Sequence, residues 1–394
     1  MKVCGVEIEF ANQLEHVGVV RSLSGNISSV SERITAQKRA IGSIISAGLG
    51  KGHLSNPQAG LRVLKLYGDP VLFSGLPALY LSRKEIALIN NQNNNNIRNI
   101  QRLYKGTPRS FYLLTGGSLP GEAILHLRQL SLFGMICRLP DSNPLVLHAN
   151  FYFSMNKTYQ SWFEQINKLT KLYDLPDCIQ LLQLKWEKAH FTKYVKLKLV
   201  DYWQTVLRHE ASQLKSLKYF KSHFYSLLFP SKAYMAAGNN RYEIAKLNIQ
   251  MKMLSGRYRT ESLSRFWTTN KAGICLLGFP CTNTVDSISH ILTTCPNLGN
   301  KRSTLIDMGL SKEKDGPLGP VLTEIFSSHP GVQTQFLLDP LSHPKIIFLI
   351  QTEGNEIQDR ICYFTRTFCF SLHRERQIKL GKWVNSGYPA PRNP

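Results

Sequence analysis

Cys275, Cys281, His290 and Cys295 form a C-x5-C-x8-H-x4-C pattern, three thiols and one imidazole within 21 residues. Donors of that type and number match a structural zinc site, in which protein ligands fill all four tetrahedral positions. One zinc ion is expected. Cys275 to Cys281 reads as a turn, with Gly278 and Pro280 supplying the bend. Residues 287 to 295 read as the start of a helix that brings His290 and Cys295 near one face. The five-residue first gap is longer than the two residues of a standard knuckle. The alternative is a set of buried free thiols beside an unrelated histidine. Cys4, Cys137, Cys178, Cys362 and Cys369 lack such neighbours and read as small core residues.

Other chemistry is not written in the chain. No two aspartates are adjacent, so the paired carboxylates of an Mg²⁺-dependent polymerase are missing and no Mg²⁺ site is expected. No P-loop, His-Glu-x-x-His or Gly-x-Ser-x-Gly motif occurs. Glu7 and Glu9 share one strand face, which a solvated surface explains.

The elements that must position the cluster are mostly helical. Residues 2–9 and 16–21 alternate as strands and together suggest an N-terminal β-hairpin. From residue 28 the apolar spacing turns helical, with Val30, Ile34, Ile41 and Ile45 on one stripe. Helices are expected from Pro57, from Ser82 with Glu85 behind the cap, over 121–140, and then at about 158–173, 176–185, 195–215 and 241–256. Asn90 to Asn96 holds six asparagines in seven residues and reads as a solvated loop or slack helix face. Residues 301–394 read as a looser segment rich in Pro and Gly, then a helix at about 357–380. No sustained alternation of strand and helix appears, so a mainly α fold is expected rather than a doubly wound sheet.

Charge narrows the partner. The 394 residues carry 48 Lys and Arg against 26 Asp and Glu, a net charge of +22. Residues 181–270 alone hold 16 against 5, a net of +11. Such an excess favours RNA, DNA or an RNA–DNA hybrid through phosphate contacts. The aromatics interleaved there, Trp186 to Trp267, suit base stacking, although most single ones, Trp203 above all, read as core. Lys193, Lys196, Lys198, Arg257 and Arg259 are the surface candidates. The basic end of the last helix, with Arg374 and Arg376, reads either as a second phosphate-contacting arm or as charge favoured by the helix dipole. No secretory signal opens the chain and no apolar run approaches a bilayer span. Cysteines without a dense framework point to reduced thiols in the nucleus or cytoplasm, and to a protein that is neither secreted nor membrane-bound.

Five short stretches carry a resemblance. His16-Val-Gly-Val-Val-Arg-Ser22, Pro70-Val-Leu-Phe-Ser-Gly-Leu76, Leu127-Arg-Gln-Leu-Ser-Leu-Phe-Gly-Met-Ile136, Met253-Leu-Ser-Gly-Arg-Tyr-Arg259 and the Cys/His cluster occur in an order similar to that of non-LTR (LINE-type) retrotransposon reverse transcriptases. The chain resembles the part downstream of the catalytic aspartates. The resemblance implies a palm remnant with a primer-grip-like hairpin over 1–27, placing His16 and Arg21 against nucleic acid. It implies a thumb-like helical region over 28–140, a basic helical extension over 141–270, a zinc-knuckle-like motif over 271–300 and a tail over 301–394. It further implies a truncated polymerase that binds template–primer or element RNA without its own active site. The rival expectation is a domesticated helical scaffold or protein-interaction module whose charge serves solubility.

Overall fold

The computed structural model describes the backbone of residues 2–3, 6–7, 13–16, 19–22, 27–44, 56–155, 161–260, 273–278, 280–281 and 284–381, and the side chains of these ranges from residue 29 onward. The protein is mainly helical, as expected. The N-terminal strands differ from expectation. Lys2–Val3 pairs with Val6–Glu7, and Gln13–His16 pairs antiparallel with Val19–Ser22, so two short pairs replace the single hairpin of 2–9 with 16–21. Alternation marks a strand but does not choose its partner; the turn does.

Two compact units form. The first comprises Met1–Gly48, Leu61–Ile97 and Leu119–Val206; the second comprises Leu49–Gly60, Arg98–Ser118 and Leu207–Pro394. No helix among the described residues is long and apolar enough to cross a membrane.

In the first unit Val30, Leu72, Phe73, Leu76, Leu79, Leu81, Ile89 and Leu125 close a core. The Arg83–Ile100 helix begins with a capping box: Ser82 N–H donates to Glu85 Oε2 at 2.7 Å, and Glu85 N–H donates to Ser82 Oγ at 3.3 Å. The asparagine run belongs to this helix and is solvated on one side only, at Asn91 and Asn95. Asn90, Asn93 and Asn94 are buried. Asn90 Oδ1 accepts from Asn94 Nδ2 at 3.1 Å and from the Glu122 N–H at 3.2 Å, at the start of the Gly121–Cys137 helix. Asn96 Nδ2 donates to Gln37 Oε1 at 3.0 Å. A polar run can thus line part of a helix seam, although the Asn93 amide and the Asn94 oxygen are buried without a hydrogen-bond partner.

The same unit buries a polar chain. Trp203 Nε1–H donates to the Tyr173 hydroxyl at 3.0 Å, and that hydroxyl reaches His126 Nδ1 at 2.7 Å. Trp203 is core, as its amphipathic setting implied. Burial pushes His126 down to about 4. A depressed imidazole contributes stability above its unfolded value near 6.5 and loses it as the pH falls towards 4. Asp69 works in the opposite sense: burial lifts it to about 6, so protonating it relieves a cost. His126→Asn is expected to flatten the acid limb of first-unit stability between about pH 6.5 and 4, read by denaturant titration at a series of pH values. An unchanged limb would contradict the assignment.

In the second unit the Arg241–Leu254 helix is buried on nearly every side and lies against the long Asn355–Lys379 helix. Gln250 Nε2 donates to Leu337 O at 2.8 Å and Thr365 Oγ1 at 3.2 Å. Lys246 and Arg366 both grip Glu243, at 2.7 and 2.6 Å. The stretch expected to be loose is four packed helices: Gly299–Glu313, Leu318–Ser327, Pro330–Leu338 and Pro344–Glu353. Pro330 and Pro344 begin helices, where the missing N–H costs nothing. After Arg241–Leu254 the chain reverses at Gly256, whose φ is +67°. A Cβ there would collide with the Ser216 carbonyl. Gly256→Ala is expected to cost at least about 2 kcal/mol from the left-handed backbone and the clash together, measured by chemical denaturation. A cost under about 0.5 kcal/mol would show the turn is not constrained in this way.

Candidate metal centre

The four expected ligands converge in the second unit. One donor atom from each of Cys275, Cys281, His290 and Cys295 lies within 4.8 Å of all the others, and all four residues are buried. The Cys281 and Cys295 sulfurs are 3.7 Å apart and not bonded, and the described cysteines are free thiols.

Local folding explains the approach. Gly278 adopts a φ of +75° with open space beside it, and the Cys281 N–H donates to its carbonyl at 2.8 Å. This tight turn absorbs the long first gap. Cys275 N–H donates to Thr284 O at 2.9 Å and Asp286 N–H to Gly273 O at 2.9 Å, with an antiparallel bridge from Ile274 to Val285. Residues His290–Thr294 wind as a π-helix rather than an α-helix, and Cys295 N–H donates to His290 O at 2.7 Å. An α-helix would carry residues five apart well around its axis. The wider π-turn brings them back towards one side. Ser287 Oγ accepts the His290 N–H at 3.1 Å and starts the turn.

The donor set fits a metal ion. His290 Nδ1 meets Thr294 Oγ1 at 3.2 Å, while its buried Nε2 has no hydrogen-bond partner. That is the state of an imidazole held by one nitrogen and ligating through the other. Burial lowers His290 and raises Cys275; burial also lifts Cys295 to about 12. Burial thus favours the protonated thiol at Cys275 and Cys295, and a bound cation would deprotonate both. Groups that would temper the thiolate charge are in place. Asn297 Nδ2 reaches the Cys281 sulfur at 3.6 Å, and the N–H groups of Leu277 and Leu298 donate towards Cys275 and Cys295. Four converging protein donors would fill the positions of a tetrahedral ion.

The last helix clamps this module. Arg376 Nη2 pairs with Asp286 Oδ2 at 2.8 Å, both groups nearly inaccessible, and Lys379 Nζ donates to Asn297 O at 2.8 Å. Arg302 ties the far side through Leu292 O at 3.0 Å and Cys295 O at 2.9 Å. Asp286, Asn297 and Arg302 were not singled out in the sequence. Their proximity to the ligands in the chain was the only signal.

The expected nucleic-acid residues divide between the two units. Lys193 and Lys196 are exposed on the Lys188–Gln213 helix, while Lys198 pairs with Asp174 at 2.7 Å. Arg259 is exposed, and Arg257 and Arg374 are half-buried. Arg376 corrects the phosphate-arm expectation: its guanidinium points inward and is spent on Asp286, because a basic helix end packs against an acidic group when one is buried beside it. Phe191, Trp203, Phe220 and Tyr258 are buried and cannot stack bases. The side chains of His16, Arg21 and Trp267 lie outside the described residues, as does Cys4. Cys137, Cys178, Cys362 and Cys369 are buried core thiols. No family model, curated protein or solved structure matches this chain.

Proposed function

We propose that the chain is a nucleic-acid-binding protein whose Cys/His cluster holds one structural zinc ion, and that it is kin to the post-catalytic part of LINE-type reverse transcriptases. The net charge of +22 carries the binding reading. Three thiolates and an imidazole are the borderline-soft donor set that zinc prefers. Kinship rests on the five ordered motifs. In that frame the Gln13–His16 and Val19–Ser22 pair takes the place of a primer grip, and the helices after it the place of a thumb. RNA, DNA or their hybrid is held by phosphate contacts, and free thiols suit a reducing compartment.

Affinity for a labelled RNA or hybrid is expected to fall at least tenfold between about 50 and 200 mM salt, because each neutralised phosphate releases a counterion. Affinity that stays flat across that range would defeat the reading. The protein-interaction alternative has one observation in its favour. Leu147 and Phe151, one turn apart on the Pro144–Ser154 helix, are 56% and 61% exposed. Leu147→Lys with Phe151→Lys should leave RNA affinity within about twofold if nucleic acid is the partner.

A further inference from the structure

Most strongly buried cations in the second unit face a carboxylate. Lys246 and Arg366 share Glu243, and Arg376 has Asp286. A second group of cations, half-buried or exposed, is drawn from two stretches of the chain. Residues 98–106 contribute Arg98, Arg102 and Lys105; residues 252–259 contribute Lys252, Arg257 and Arg259; neither stretch contains Asp or Glu. The two stretches meet at the Tyr104 ring. Lys252 Nζ lies 4.9 Å and Arg259 Cζ 5.6 Å from its centroid. The Arg257 guanidinium lies beside Gly106, 3.6 Å from where a Cβ would stand. No ion pair among the described residues engages Lys252, Arg257 or Arg259. Arg257 Nε is buried without a hydrogen-bond partner.

Gathering these charges is unfavourable unless something anionic joins them. Burial, and then the charges of Arg102 and Arg259, lower the Lys252 ammonium to about 8. One tyrosine face offers each cation a modest attraction, shared between two of them. The backbone is also shaped for the cluster. Arg102 sits in the left-handed region at φ +55°, and the Gly256 turn delivers Arg257 and Arg259. Arg376 reaches the Arg259 carbonyl at 3.5 Å, and the Tyr258 hydroxyl meets His373 Nδ1 at 2.7 Å, so the helix that clamps the metal module also fixes this loop.

We propose that the cluster around Tyr104 is a phosphate site that takes the sugar–phosphate backbone of a nucleic acid, a placement that rests on the nucleic-acid reading above. The site reads phosphate and not bases. Its donors are guanidinium and ammonium groups, and Lys252 and Arg259 already attend the Tyr104 ring. Binding there is insensitive to sequence and steeply sensitive to salt.

The test uses the full chain, a fluorescein-labelled 20-nucleotide oligo(U) and its mixed-sequence counterpart, and vesicles containing 30% phosphatidylserine. Lys252→Met with Arg259→Gln is expected to weaken both oligonucleotides alike by at least about tenfold. It should reduce the slope of log affinity against log salt by about 2. Arg259→Gln alone, at an exposed position that folding does not depend on, should reduce the slope by about 1. If wild-type protein binds with a steep slope and the Tyr104-cluster variants leave it unchanged, the site is wrong while the nucleic-acid reading survives. If wild-type protein binds neither oligonucleotide, both fall. Loss of vesicle binding with unchanged oligonucleotide binding would overturn the proposal in favour of an anionic membrane surface.

Discussion

Cys281→Ser is expected to release the metal ion and loosen the module that carries it. Cys281 is fully buried, its sulfur is 3.7 Å from that of Cys295, and Asn297 reaches it as well. A serine hydroxyl there is a far poorer donor than a thiolate. Changes one shell further out already cost 10–100-fold in affinity, so losing a ligand should cost at least about two orders of magnitude. Among the described residues, Ile291, Leu292 and Leu298 are the module's buried aliphatic side chains. Metal content should drop below about half an equivalent, and the second unit should melt several degrees lower. Cys137→Ser, a buried thiol of the first unit, should keep the full complement. The pH dependence has a fixed sign. Metal replaces protons on thiols that burial holds high, so its stabilisation is present at neutral pH and fades on acidification. Equal metal content in both variants would refute the ligand assignment.

Arg376→Met is expected to be the most damaging change outside the ligands. The Arg376–Asp286 pair is 2.8 Å long with side-chain exposures of 4% and 0%. Removing the cation strands a negative charge in the interior beside two ligands, and breaking such a pair costs about 3–5 kcal/mol. Asp286→Asn with Arg376→Met should recover much of that loss, because neither charge then remains to be compensated. Denaturant unfolding of the second unit reads both values. A single-variant cost under about 1 kcal/mol would show that the clamp is not structural.

How much of this was legible depends on the interaction's range. The convergence of the four candidate ligands was readable because donor type and local spacing suit a metal site, even with the long first gap. The helices around Ile89, Phe133 and Trp203 were readable from periodicity. The asparagine run misled because composition reports polarity, whereas Asn90 satisfies the Glu122 amide 32 positions away. The Pro- and Gly-rich stretch looked loose because the place of Pro330 and Pro344 at helix starts is known only once the helices are. Arg376 looked like a surface charge because its partner lies 90 positions earlier in the chain. The Tyr104 cluster escaped for the same reason. Arg102 and Lys252 are unremarkable until the fold sets two loops free of acids side by side.

We propose that Cys275, Cys281, His290 and Cys295 form one closed metal centre in the second unit. Zinc-edge X-ray absorption on the purified full chain, together with its metal content, tests this most directly. The expected result is one zinc per chain with three sulfurs at about 2.3 Å and one nitrogen at about 2.0 Å. Metal-free protein with every thiol titratable, or a Cys281–Cys295 disulfide found by mass spectrometry, would contradict it.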